Sequence, residues 1–175
     1  IGRRQETLHA ALIKAAQENK LTYFYDTISS HGAKYGLTAF DYKQHRFLLS
    51  NLLKRSKCFV TFPGRFDELR TTGGEEVIGA RYFEGAAAGA LMIGHQPQNQ
   101  LFREFIFWPN AVIELDSHSA PIEKVIRDIV AQPTCDAQRR DNIVHSLLHH
   151  DWAYRWEIVL GLAQLPALSG LLDRK

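Results

Sequence analysis

Cysteine is scarce in this 175-residue chain. Cys58 and Cys135 have neither the spacing of a metal site nor the density of a disulfide framework. Both lie among apolar neighbours, so a reduced, cytoplasmic protein is expected. Strong charge is missing as well. Lys and Arg total 21 against 19 Asp and Glu, leaving +2 and a pI near 8.6. No dense Lys/Arg run concentrates that excess, so nucleic acid is not an expected partner. No apolar stretch approaches the roughly 20 residues that span a bilayer, which excludes a transmembrane helix. Internal repeats and low-complexity linkers are absent. So is the G-x-S-x-G of a nucleophile elbow, and Gly2-Arg3-Arg4 lacks the G-x-G-x-x-G of a dinucleotide site. What remains is 45% hydrophobic and 23% charged residues, enough for one globular domain with a real core.

Helix and strand patterns alternate along the chain. Gln5 to Glu18 has helical spacing, with Leu8, Ala11, Leu12, Ala15 and Ala16 on one face. Leu21 to Tyr25 is aromatic and β-branched, a predicted strand that Asp26 closes. After a Gly-containing loop from Ser29 to Gly36, helical spacing returns over Gln44 to Arg55. Cys58 to Phe62 predicts a strand stopped by Pro63-Gly64. A helix over the Glu76–Gly89 segment, a strand Ala90–Ile93, a short helix Leu101–Phe105 and a strand Ala111–Leu115 follow. The rest is helical: an apolar stripe from Ile122 to Val130 with Pro121 in its first turn, a helix around Ile143 to Leu148, and a last one from Trp152 to Leu165. Continuous apolar strands separated by helices predict a parallel sheet covered on both faces, a doubly wound, Rossmann-like α/β domain.

Ligands of such sheets bind outside the carboxyl ends of the strands, near helix N-termini. The stretch GGEEVIGARYFEGAAAGALMIG, Gly73 to Gly94, follows the strand Cys58–Phe62 and belongs at that edge. Gly79 allows backbone amides of the first turn to approach an anion closely. Glu76 falls at or before the helix start. If the helix already runs from Glu76, Glu84 lies about two turns further on, and the two acids share one edge of a cleft. The same stretch also reads as plain packing, because acids favour the N-terminal dipole and Ala-rich faces pack closely.

Glu76, Glu84 and Gly89 resemble the E-x7-E signature of GT-B glycosyltransferases in the large retaining group 1. Arg81-Tyr82-Phe83-Glu84-Gly85-Ala86-Ala87-Ala88-Gly89-Ala90 is closer still to the spore-maturation CgeB-like transferases. Ile1-Gly2-Arg3, Ser56-Lys57-Cys58-Phe59-Val60 and Arg155-Trp156-Glu157 resemble further stretches of the C-terminal half of that fold. The resemblance implies a single nucleotide-sugar-binding domain over 1–175, part of a two-domain enzyme. It implies Glu84 on the ribose hydroxyls and Glu76, the catalytic candidate, on the donor sugar. It places the amides of Gly79 and Ala80 on the diphosphate, with Arg3 neutralising it. The expected reaction moves a hexosyl group from a nucleotide diphosphate sugar to an unknown glycan, lipid or protein acceptor, with no bound metal or cofactor. Ile1-Gly2-Arg3-Arg4 lacks an initiator Met and reads as the end of a strand. A chain cut from something longer is therefore expected, inactive without its N-terminal acceptor domain. The lysine that follows the family's arginine has no counterpart in Gln5-Glu6-Thr7-Leu8-His9; Arg4, Arg65 and Arg70 are the alternative cations. Ile78 stands where the family has an aromatic residue. Two competing expectations are a non-catalytic nucleotide-sugar-binding module and an unrelated α/β protein with a chance E-x7-E.

Other constellations point to chemistry less sharply. His145, His149 and His150 include an i, i+4 pair suited to zinc, but no third ligand is placed by spacing. Asp116-Ser117-His118 and Phe66-Asp67-Glu68 form no metal motif. Trp152, Tyr154 and Trp156 are expected to pack the last helix against the sheet.

Overall fold

The computed structural model describes residues 5–25, 42–115 and 121–174. Helix α1, Glu6–Gln17, begins where the Gln5 side chain accepts the Leu8 N–H, and it carries Glu6 in its first turn and Lys14 in its last. Helix α2 spans Tyr42–Arg55, and strand β1 follows at Cys58–Thr61. Then come helix α3 (Ala80–Ala87), strand β2 (Leu91–Gly94), helix α4 (Gln100–Phe105) and strand β3 (Val112–Glu114). Four helices complete the chain: α5 (Ile122–Val130), α6 (Cys135–His150), α7 (Trp152–Leu162) and α8 (Ser169–Leu172). The cap of α5 is Pro121 itself, one position before the first turn.

The three strands form a parallel sheet in the order β1-β2-β3, with Cys58 beside Leu91 and Met92 beside Val112. Both faces are covered. Alternate residues of a strand point to opposite sides, and β2 shows it: Leu91 and Ile93 join Leu8, Leu12, Ile122 and Ile129 from α1 and α5. Met92 packs on the other side, with Tyr82 and Ala86 of α3 and Phe102 of α4. Each such buried aliphatic side chain contributes about 1.5–3 kcal/mol.

The small-residue run after Glu84 serves this packing. A Cβ on Gly85 would come within 2.8 Å of Phe59 and 2.9 Å of the Met92 sulfur, so only glycine lets α3 lie this low on the sheet. Gly89, at φ +66, then ends the helix: its N–H donates to Ala86 O and that of Ala90 to Gly85 O, the paired bonds of a Schellman turn.

Helix α6 locks the amino ends of β2 and β3 through one buried residue. Asn142 accepts the Trp108 indole N–H at 2.7 Å, and its amide donates to Ala90 O at 3.1 Å. Asn142→Leu leaves that indole N–H and that carbonyl buried without their partner, each a costly orphan. A loss of about 2–4 kcal/mol is expected in urea unfolding followed by tryptophan fluorescence. Adding Trp108→Phe, which removes the orphaned donor, should recover part of it. An Asn142→Leu midpoint equal to wild type would show that this network contributes nothing.

Two expectations need correction. Leu21–Tyr25 forms no strand among the described residues; Leu21 and Tyr23 pack on the α1–α5 side of the core, with Tyr23 OH 3.0 Å from His9 Nδ1. Helix α7 does not press its tryptophans against the sheet. It packs on α6 and α8, leaving Trp152 and Trp156 exposed and burying only Ala153. A helix apolar around most of its circumference has no single face to direct its docking. Asp26, the loop Ser29–Gly36 and Asp116-Ser117-His118 lie outside the described residues. Among those described, no helix is long and apolar enough to cross a membrane.

Candidate functional site at the carboxyl end of the sheet

Between β1 and α3 the chain makes an excursion that closes on itself. Gly64 N–H donates to Val77 O at 2.7 Å, forming an isolated antiparallel bridge. Within the excursion lie a 3-10 turn, Leu69–Thr72, and the left-handed pair Gly73 and Gly74. The bridge returns the chain to the carboxyl edge just before α3 begins.

The helix starts at Ala80, with Gly79 as its cap and no side chain capping it. Glu76 is therefore not helical, and the two-turn spacing expected between Glu76 and Glu84 does not exist. The physical reason is the bridge: Val77 is tied to Gly64 in extended conformation, so helical geometry begins only after it. Gly79 has φ −80, and a Cβ there would meet only Gly64 N at 3.8 Å, so this glycine is not required by its conformation.

Glu84, Gly79 and Ala80 come together along one cleft of about 1320 Å³. Its apolar wall includes Leu12 of α1 and Leu52 of α2; Arg65 and Arg81 supply positive charge near the start of α3. Arg65 is the one of the three alternative cations seen in this cleft. Arg70 lies on a separate, shallow surface of the excursion, and Arg4, like Arg3, lies outside the described residues. Glu84 is half-exposed and accepts a hydrogen bond from Arg81 Nη1 at 3.1 Å. The cleft exceeds the usual 300–1,000 Å³ of small-molecule pockets.

Glu76 belongs to a different set of contacts. Its Oε1 lies 2.6 Å from His95 Nε2, its Oε2 accepts the Gln98 N–H at 2.7 Å, and its carbonyl accepts the Asn99 side-chain amide at 2.5 Å. His95 Nδ1 faces Glu114 Oε2 at 3.3 Å, while Glu114 Oε1 accepts the Gln96 N–H at 2.6 Å. His95 and Glu114 were not expected from spacing. Signals for both exist nonetheless: His95 is the first residue past β2, and Glu114 is an acid inside an otherwise apolar strand.

Beneath this cluster, Tyr82 is buried and donates its hydroxyl to His95 O at 2.6 Å. Burial, reinforced by the Glu76 and Glu114 charges, raises its phenol well above the ordinary 10.0. Burial likewise pushes the Cys58 thiol from 9.0 up to about 11, with Cys135 adding to the shift. Both groups keep their protons longer when folded than when unfolded. The Cys58 contribution is full below about pH 9 and is lost as pH rises through about 11, while that of Tyr82 begins to be lost only above about pH 10. The urea midpoint should therefore fall from about pH 9 to about pH 11, and more gently in Cys58→Ala. A flat profile would contradict the burial of both groups.

The histidines of α6 form a stack and show no metal arrangement. His145 lies flat on Trp108 at 5.0 Å and 8°, His149 stacks on His145 at 5.8 Å, and His150 Nε2 sits 2.6 Å from Phe105 O. Among the described residues, no group of three or more His, Cys, Asp or Glu could hold a metal ion.

Comparison with known proteins finds no matching family model, no matching curated protein and no matching solved structure. The functional reading thus rests on the residues and their geometry.

Proposed function

We propose that this chain is the donor-binding domain of a GT-B-type glycosyltransferase, doubly wound and Rossmann-like, working with a second domain that holds the acceptor. The donor is a nucleotide diphosphate sugar, and the reaction is hexosyl transfer to a glycan, lipid or protein. One observation carries this reading: Glu84, Arg65, Arg81 and the uncapped start of α3 at Gly79-Ala80 border one cleft beside a parallel sheet. Carboxylates suit the ribose diol, and cations with helix-start amides suit a departing diphosphate. The chemistry needs nothing from a bound metal.

A thermal-shift screen of nucleoside diphosphates and their sugars tests it. A ligand present at a hundred times its Kd stabilises by about 2.7 kcal/mol, which raises Tm by about 5–10 °C for a chain of this size. A panel in which no nucleotide shifts Tm would remove the proposal.

A non-catalytic nucleotide-sugar-binding module is favoured by one specific observation. Both carboxylate oxygens of Glu76 already accept hydrogen bonds from within the protein. Such a module would bind diphosphate and sugar nucleotide with similar affinity, whereas a transferase should prefer the sugar nucleotide.

A further inference from the structure

His95 stands where all three strands end. Its N–H donates to Thr61 O, at the end of β1, at 3.1 Å. Gly94 before it closes β2, and its ring faces Glu114 of β3. Its carbonyl accepts the buried Tyr82 hydroxyl. Backbone and ring are thus held from four directions, and the held ring meets Glu76. A glutamate side chain without such partners would sample several staggered rotamers.

We infer that His95, with Glu114 as its brace, positions the Glu76 carboxylate for the donor sugar; Glu76 stands off the cleft's lining, just before the Gly79-Ala80 segment that borders it. The inference rests on the glycosyltransferase reading and deepens it. The imidazole holds one carboxylate oxygen of Glu76 and the Gln98 amide holds the other. Each oxygen has two acceptor positions, so one on each stays available for a sugar hydroxyl. The two engaged oxygens that favour a plain binding module are, on this account, a preorganised carboxylate. Its rotamer is set before the ligand arrives, which lowers the ordering cost of binding. A mere stabilising role fits the geometry less well. The His95–Glu76 pair is partly exposed, and exposed ion pairs contribute little to stability.

The decisive measurement is a double-mutant cycle in the full chain, read as the ratio of affinities for a sugar nucleotide and its bare diphosphate. The probes are UDP-glucose with UDP, ADP-glucose with ADP, and GDP-mannose with GDP, titrated calorimetrically. His95→Leu and Glu76→Ala should each lower the ratio about tenfold for the pair that binds, the loss of one hydrogen bond to a charged group. Because His95 acts through Glu76, the double variant should again lose about tenfold rather than a hundredfold. His95→Gln, which can return one N–H toward Glu76, should recover most of the ratio, and it also covers the case in which His95→Leu fails to fold. An unchanged ratio in a folded His95 variant, or a multiplicative loss in the double, overturns the positioning role while leaving the donor-site reading intact. Wild type that binds no member of any pair removes that reading, and this inference with it.

Discussion

Glu84→Ala is expected to weaken nucleoside diphosphate binding by about ten- to a hundredfold while leaving the fold in place. The magnitude follows from removing one charged acceptor from a preformed cleft, where hydrogen bonds to charged groups contribute about 1.5–3 kcal/mol. The fold should survive for two reasons. Alanine is the best helix former, and the residue lies within α3. Its ion pair with Arg81 is half-exposed and therefore weak. Glu76→Ala should differ in kind, reducing binding of the sugar nucleotide more than that of the bare diphosphate. Calorimetric titration of both variants with both ligands separates the two roles. Equal affinity in wild type and Glu84→Ala would return the acid pair to the plain reading of a closely packed helix.

The largest effect on stability is expected at Gly94, which was notable in the sequence only as the end of an apolar run. Its φ of +144° lies where L side chains rarely go, and a Cβ there would stand 2.0 Å from the Thr61 carbonyl oxygen. Neither atom has room to retreat, because Thr61 and Gly94 are paired in the sheet. Gly94→Ala should cost about 3–5 kcal/mol or prevent folding altogether. Gly79→Ala is the natural control. With φ −80 and its nearest neighbour at 3.8 Å, it should change stability by about 0.5 kcal/mol or less. Chemical denaturation of the two variants side by side checks the contrast. Similar midpoints for both would falsify the close approach of β1 and β2 at their carboxyl ends.

The legible parts of the site are those encoded over short distances. The helix containing Glu84 could be read from spacing, as could the cleft edge it borders, since a strand followed by a glycine-bearing turn and a helix defines a carboxyl edge locally. Glu76 falls before the helix start, one of the two positions its spacing allows, and what rules out the helical one is not local: nothing near it in sequence announces that Val77 pairs with Gly64, thirteen positions earlier. His95 meets Glu76 and Glu114, each across a separation of 19 residues. Spacing on one element carries no information about such meetings. The tryptophans of α7 illustrate the converse, since hydrophobicity marks a residue that can be buried without saying that a partner surface exists.

By itself, the sequence determined the chain order of β1, β2 and β3 with the helices between them, and the two apolar faces of the sheet. It also placed Glu84 within the helix that follows β1. These follow from periodicity, because side-chain direction repeats every 3.6 residues in a helix and every 2 in a strand. Only the tertiary structure decided that Glu76 meets His95, that Glu114 faces the same ring, that Arg65 rather than Arg70 borders the cleft, and that Gly94 leaves no room for a Cβ. Each of these depends on two distant segments ending at the same edge of one sheet, and the packing of the whole core sets where such segments meet.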